Sequence, residues 1–457
     1  MRSLFALLLV AGRLGGQPAP AAPCAPTDRG PTLGTAPAHH PTATFDSVWA
    51  LIARTHWDSS GIQPRWDAAR ARLRPQAEAA RTRGELRAVI GALLDTLGQS
   101  HFRLIPEEEA DGIGTVAIPD RSGWLGLEFR LVDGVVAVTA VDSGGPAWRG
   151  GLRAGWRLEA IGPCPVAPIV RQLTRMHAPR HLAVALQQAL MTRLAGPPGA
   201  PVEVTAHDGR RATVHRLVRD TARGITTKFG NLPSLAVELT WRRLRRGDRT
   251  LGVIRFSLWM PAIAPAFDAA LDSLRGSDGF ILDLRGNLGG VGGMVTGIAG
   301  HFFDSTATIG TMRQRGATFR FQANPRRGTA DGRSVSPYAG PLVLLVDELS
   351  ASTSEIFAAG LQALGRARVV GVPTPGEALP AVPERLPNGD VLYHAIADFV
   401  SPRGAPIEGR GVIPDEVVPL SFRALQTLGD PPLEAALGWL ASRPKSRAAA
   451  PSPVSGR

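Results

Sequence analysis

The stretch that most constrains this chain runs from Gly340 to Gly371 and reads GPLVLLVDELSASTSEIFAAGLQALGRARVVG. An apolar run, residues 342–346, stops at Asp347-Glu348 and reads as a buried strand. Three serines follow on alternate residues, Ser350, Ser352 and Ser354. Glu355 then opens a helical pattern with Ile356, Phe357, Leu361 and Leu364 as its apolar positions and Gly365 as its stop. Such a strand delivers a serine to the mouth of a helix. Free N–H groups and the local positive dipole there favour a developing oxyanion. On spacing alone the serines serve equally well as N-cap and turn residues.

At 457 residues the chain suits two or three domains, and 44% hydrophobic residues supply an ample core. The net charge of +12 is almost wholly arginine, since Lys228 and Lys445 are the two lysines among 51 basic residues. No dense basic helix or aromatic-interleaved basic stripe stands out, which argues against a nucleic-acid partner. The N-terminus has Arg2, a short apolar run over 4–10 and Ala19-Pro20-Ala21. This reads as a signal peptide over residues 1–21 and predicts export, periplasmic or secreted. Nothing later reaches 18 apolar residues, so no stable membrane insertion of the mature chain is expected. Cys24 and Cys164 are too few for a zinc ribbon and could pair in an oxidising compartment.

In chain order, residues 22–41 read as a linker and 42–118 as a helical subdomain. The helical part ends at Gly98, with Ser100-His101 in the turn beyond. Residues 119–218 read as a β-rich module, with strands over 124–131 and 135–141, a helix over 176–194 and closing strands over 202–217. Residues 225–425 alternate strand and helix. Within them a buried strand over 279–284 runs into Arg285-Gly286-Asn287-Leu288-Gly289-Gly290. That turn has neither the dinucleotide G-x-G-x-x-G spacing nor a P-loop glycine–lysine pair. A strand–glycine turn–helix corner can instead expose N–H groups as an oxyanion hole. Residues 442–457 read as a disordered tail.

Three segments in this order, DLRGNLGG at 283–290, SASTSEIFAAGLQALGRARVVG at 350–371 and GRGVIPD at 409–415, resemble the core of the tail-specific (C-terminal-processing) and tricorn serine peptidases. The resemblance covers residues 45–420 or so and implies an α/β fold with a ClpP/crotonase-like core. The β-rich module, inserted in or preceding that core, is similar to a PDZ domain. That likeness implies that the loop Trp124-Leu125-Gly126-Leu127 offers N–H groups to a peptide carboxylate.

The family pattern implies Ser352 as nucleophile. It implies an oxyanion hole from the N–H of Thr353 and of Gly289 or Gly290, a choice the sequence leaves open. The processing branch places a lysine base in a G-K-G turn, but the matching triplet here is Gly376-Glu377-Ala378. A Ser–Lys dyad is therefore not expected, and Glu377 is expected to do no more than pair with an arginine. The tricorn-like branch implies His101 as base, Glu408 as its orienting carboxylate and Ser100 as a bridge between them. Asp283 and Arg285 are expected to fix the corner by an ion pair. The expectation is an exported serine endopeptidase acting on polypeptides through a Ser–His–Glu triad, without metal or organic cofactor. The alternative, motivated by the missing lysine, is a non-catalytic binder of peptides or apolar ligands on the same scaffold.

Overall fold

The computed structural model describes residues 36–107, 123–227, 235–329 and 331–444. The expected signal peptide, most of the expected linker and the tail from residue 445 lie outside them. Helices α1 (Pro41–Thr55), α2 (Ser59–Ala79) and α3 (Arg83–Asp95) form the N-terminal part. α3 starts at a capping box, in which Glu85 N–H donates to Thr82 Oγ1 and the Glu85 carboxylate accepts from Thr82 N–H. The apolar stripes meet around Phe45, Ile52, Trp66 and Ile90. Leu386 and Leu392, from far downstream, complete this cluster.

Strand β1 (Arg103–Ile105) leads to the β-rich module. The module contains β2 (Leu127–Val132), β3 (Val135–Val141), the short α4 (Pro146–Arg149), β4 (Arg157–Ile161) and β5 (Cys164–Pro165). Next come α5 (Val166–Met176), α6 (Pro179–Leu194), β6 (Pro201–His207) and β7 (Ala212–Val218). Its sheet runs β2-β3-β4-β6-β7, with β2 at an edge. The helix expected over 176–194 begins at Pro179, because the proline holds Ala178 extended (ψ 150°), and a further helix, α5, precedes it where the sequence reading placed none. The first strand begins at Leu127, three residues later than expected. Gly126 turns at φ 66°, and Trp124 pairs instead with Asp220 to close the module. Cys164 is disulfide-bonded; the chain's other cysteine, Cys24, lies outside the described residues.

After a two-stranded ribbon of β8 (Ile225–Thr227) and β9 (Leu235–Val237), the core begins with β10 (Leu239–Arg246) and β11 (Arg249–Phe256). It continues with α7 (Ala264–Leu274), β12 (Gly279–Asp283), α8 (Met294–Ala299) and the hairpin of β13 (Ala307–Gln314) and β14 (Ala317–Ala323). Then come β15 (Leu342–Val346), α9 (Thr353–Ala363) and β16 (Arg368–Gly371). Strands β17 (Ala381–Arg385), β18 (Val391–Ala395), β19 (Ala397–Val400) and β20 (Glu416–Val417) precede α10 (Phe422–Leu428) and α11 (Pro431–Ala441).

The central sheet runs β10-β11-β12-β15-β16-β20 and is parallel from β11 onward. Every residue of β12 and β15 is buried. That follows from covering both faces: α7 and α9 pack on one, and Leu433, Leu437 and Leu440 of α11 on the other. β1 joins β18 and β17 in a separate sheet, which carries the chain from α3 to the rim of the core. β10 exposes Trp241 with Arg242, Arg243, Arg245 and Arg246, a basic stripe that the composition reading passed over.

Candidate active site

β15 ends at Asp347, and the turn after it is pinned by its own side chains. Ser350 Oγ donates to Leu284 O (2.8 Å), and Ser354 Oγ donates to Asn287 O (2.9 Å) while accepting from Trp259 Nε1 (2.9 Å). Both serines are wholly buried, so the alternating triplet separates by role. Two hydroxyls anchor the segment to the 284–290 corner, and Ser352 is left half-buried at the start of α9. Ser352 sits at φ 56°, ψ −116°, outside the regions open to ordinary L-residues. Four non-glycine residues among those described have positive φ, and two of them are Ser352 and His101 (φ 61°). Strain of this kind costs about 1–3 kcal/mol per residue and persists where surrounding structure enforces it.

Thr353 Oγ1 donates to Gly290 O (2.9 Å), holding the glycine corner against the start of α9. Gly289 N–H donates to Asn287 Oδ1 (3.0 Å), whose Nδ2 in turn donates to Phe256 O (3.0 Å). Among the described residues the N–H groups of Gly290 and Thr353 have no hydrogen-bond partner. A Cβ on Gly289 (φ 103°) would lie 2.7 Å from Ser352 Cβ and 3.1 Å from Thr353 N. Gly289→Ala is therefore expected to displace Ser352 and lower kcat by about 100-fold, since a misplacement near 1 Å costs that much. Turnover on casein, measured beside an unchanged circular-dichroism spectrum, checks this.

Ser100 and His101 follow Gly98 (φ 63°), whose N–H donates to Asp95 O (3.1 Å) at the end of α3. Ser100 Oγ donates to Glu408 Oε2 (2.9 Å), and Ser100 N–H donates to Glu408 Oε1 (2.7 Å). Ser100 Oγ also lies 2.6 Å from His101 Nδ1. With the hydroxyl proton committed to the carboxylate, Nδ1 must be the donor in that contact. Nε2 is then the unprotonated nitrogen. Burial pushes the His101 pKa down to about 4; the Glu377 charge opposes this and Arg103 adds to it. Burial raises the Glu408 carboxyl, against the pull of donors from Ser100 and Ala378.

Glu355 joins the two halves. Its carboxylate, fully buried, accepts from Ser352 N–H (3.1 Å), Glu377 N–H (2.8 Å), Gly376 N–H (2.7 Å) and Thr374 Oγ1 (2.5 Å). Burial lifts it to about 7, although all four donors pull it down. Ala378 N–H, one residue on, donates to Glu408 Oε2 (3.0 Å). An unbroken path thus runs from Ser352 N through Glu355, the 376–378 loop, Glu408 and Ser100 to the His101 ring. Among the described residues the Ser352 hydroxyl makes no direct hydrogen bond to that ring. The sequence reading treated Glu355 only as a helix opener. The Ser352-x-x-Glu355 spacing of a capping box was the available signal.

Asp283 and Arg285 do pair (2.7 Å), and Arg285 extends to Asp430 (2.6 Å). Burial alone would raise the Asp283 carboxyl, but Arg285 and Arg255 pull it to about 2. Among the described residues no arginine pairs with Glu377. His181 of α6 reaches its Oε1 through Nδ1 at 2.5 Å. In the β-rich module, Trp124 N–H is spent on Asp220 O (2.7 Å), and Arg223 lies over its ring at 3.8 Å. The N–H groups of Leu125 and Gly126 have no partner among the described residues. Beside them a cavity of about 490 Å³ opens between β2, α6 and the core, lined by Trp124, Glu128, Arg130, Gln187 and Met191 among others. Among the described residues no group of His, Cys, Asp and Glu is arranged to hold a metal.

Residues 250–418 match the sequence model of Peptidase family S41. The carboxyl-terminal-processing protease of Synechocystis sp. is 27% identical over 403 residues, 86% of this chain and 85% of that one. The same-named protease of Picosynechococcus sp. is 26% identical over 382 residues, 81% and 82% of the two chains. Among solved structures, the photosystem II D1 C-terminal processing protease superposes with a TM-score of 0.55 at 22% identity, covering 89% of this chain and 98% of its own. Mature CPAF gives 0.55 at 12% identity, covering 87% and 95%. Those two likenesses establish the shared fold, and the sequence match reaches the strand, corner and serine turn built above. Residues 250–418 thus match peptidase family S41, and with the similarity to the two processing proteases this makes the chain a serine peptidase.

Proposed function

We propose that the protein is an exported endopeptidase that cleaves polypeptides with Ser352 as nucleophile, His101 as general base and Glu408, through Ser100, as orienting carboxylate. The observation that carries this is the Glu408–Ser100–His101 relay, which leaves Nε2 as the proton acceptor. His101 Nε2 takes the Ser352 proton as Oγ attacks the scissile carbonyl, then returns it to the leaving amine. The oxyanion meets the N–H groups of Thr353 and Gly290, the corner's unengaged donors; this favours Gly290 over Gly289. The gap between hydroxyl and imidazole closes when substrate orders the site, as unliganded serine enzymes allow.

The β-rich module supports a PDZ-like role. Its free edge strand β2 and the open N–H groups of Leu125 and Gly126 suit a peptide added as a strand, its carboxylate in the turn. Export is supported by the disulfide at Cys164, a bond favoured in oxidising compartments. Among the described residues no helix is long and apolar enough to cross a membrane. A fluorophosphonate probe tests the assignment. The parent protein is expected to label, while Ser352→Ala and His101→Ala are expected to stay unlabelled. Equal labelling of all three would reject it, and a parent that never labels while still binding peptide would favour the non-catalytic reading.

A further inference from the structure

We propose that Glu377 is a positioning residue of this active site. Its carboxylate supplies the charge against which the half-buried His101 imidazolium forms, and His181 of the β-rich module holds that carboxylate in place. The proposal rests on the serine–histidine reading above. The loop carrying Glu377 is tied into both halves of the site. Its own N–H shares the Glu355 carboxylate with Ser352 N–H, and the next N–H is held by Glu408. The Glu377 side chain, one-fifth exposed, turns to His181 Nδ1 at 2.5 Å. His181 Nε2 accepts from Arg180 Nε (2.9 Å), so its proton sits on Nδ1 and is donated to Glu377. Arg180 Nη1 also reaches Gly409 O (3.4 Å), directly after Glu408. The start of α6 therefore grips both loops that hold the histidine relay.

The charged and titratable groups facing Glu377 are His181 and Arg180 from α6, Glu355 from α9, Glu408 from the closing loop, and His101 with Arg103 from the segment entering β1. Glu408 spends its oxygens on three donors, Ser100 N–H, Ser100 Oγ–H and Ala378 N–H. Glu377 is the charge that counters burial at His101. During acylation the Ser352 Oγ proton moves to Nε2, the Oγ–C bond forms and the carbonyl π pair becomes the oxyanion. On collapse the C–N bond breaks and the Nε2 proton leaves with the amine. Glu377 gives and takes no proton in either step, and the field of its carboxylate lowers the cost of the cation while it exists.

Glu377→Gln tests this, because the amide keeps an oxygen for His181 Nδ1–H and removes only the charge. At pH 7 kcat is expected to fall about tenfold with KM little changed, the equivalent of one pKa unit at His101. The acid limb of kcat/KM, near pH 4 in the parent, is expected to move lower. In a Ser352→Ala background, an NMR titration is expected to show the His101 ring protonating at lower pH when Glu377→Gln is added. Glu377→Asp, which keeps the charge, is expected to recover most of kcat. An unchanged kcat and an unchanged His101 titration in Glu377→Gln would overturn the proposal. So would an equal loss in Glu377→Asp and Glu377→Gln, which marks a merely structural role. Either result beside an inactive His101→Ala would leave the histidine base standing, whereas an active His101→Ala would remove that base itself.

Discussion

Ser352→Ala or His101→Ala is expected to lower kcat on unfolded casein by about 10³–10⁴-fold or more, and the double variant is expected to be no worse than either single one. The reason for non-additivity lies in the relay. Without the hydroxyl there is no proton for Nε2 to take, and without Nε2 the hydroxyl is a weak nucleophile. What survives is substrate binding and the N–H donors at Thr353 and Gly290, which neither change touches. Steady-state kinetics on the three variants, with thermal melts showing that each is folded, checks the claim. Losses that multiply in the double variant would mean that the two residues act separately, and the proton path drawn here would then be wrong.

The second large effect is on stability. Arg130 of β2 is buried against Asp347, with Nη2 2.7 Å from Oδ2. Asp347 also accepts from Gly286 N–H (2.9 Å) and Leu349 N–H (3.0 Å), so one carboxylate ties the β-rich module, the 285–290 corner and the serine turn together. Desolvation works against this carboxylate, and Arg130 heads the attractions that keep it ionised. Arg130→Met leaves a buried charge without its partner, an expected loss of about 3–5 kcal/mol. Arg130→Met combined with Asp347→Asn is expected to regain much of that, because the stranded charge is gone. Urea denaturation of the two single variants and the double one measures the coupling. A loss under 1 kcal/mol in Arg130→Met would show that the pair is not what joins module to core.

Much of the core was readable in order along the chain. The strand over 342–346, the helix stop at Gly365 and the Asp283–Arg285 pair all follow from local rules of burial, capping and charge. The N-terminal helices were equally plain, because their apolar positions repeat at helical spacing. The hairpin of β13 and β14 was not. Its second strand does alternate, with Ala317, Phe319, Phe321 and Ala323 on one face, but Phe319 is exposed and Ala317 and Phe321 are only half-buried, so that face is barely packed on the core. The helix α5 was passed over, and the start of α6 falls at Pro179 rather than Met176 because the proline holds the residue before it extended.

The resemblance to the tail-specific and tricorn peptidases pointed to Ser352, His101, Ser100 and Glu408; residue types and spacing by themselves did not. They could not say which serine of the triplet is free for reaction, since that depends on where Leu284 O and Asn287 O come to rest. Nor could they assign Glu355 or Glu377. A carboxylate's role depends on which donors surround it, and those donors come from Ser352, from the 374–378 loop and from α6, up to 196 residues away in sequence. Local sequence determined the elements through short-range sterics and hydrophobic period. Only the packing of distant segments decided the hydrogen-bond partners, and with them the protonation states on which the chemistry turns.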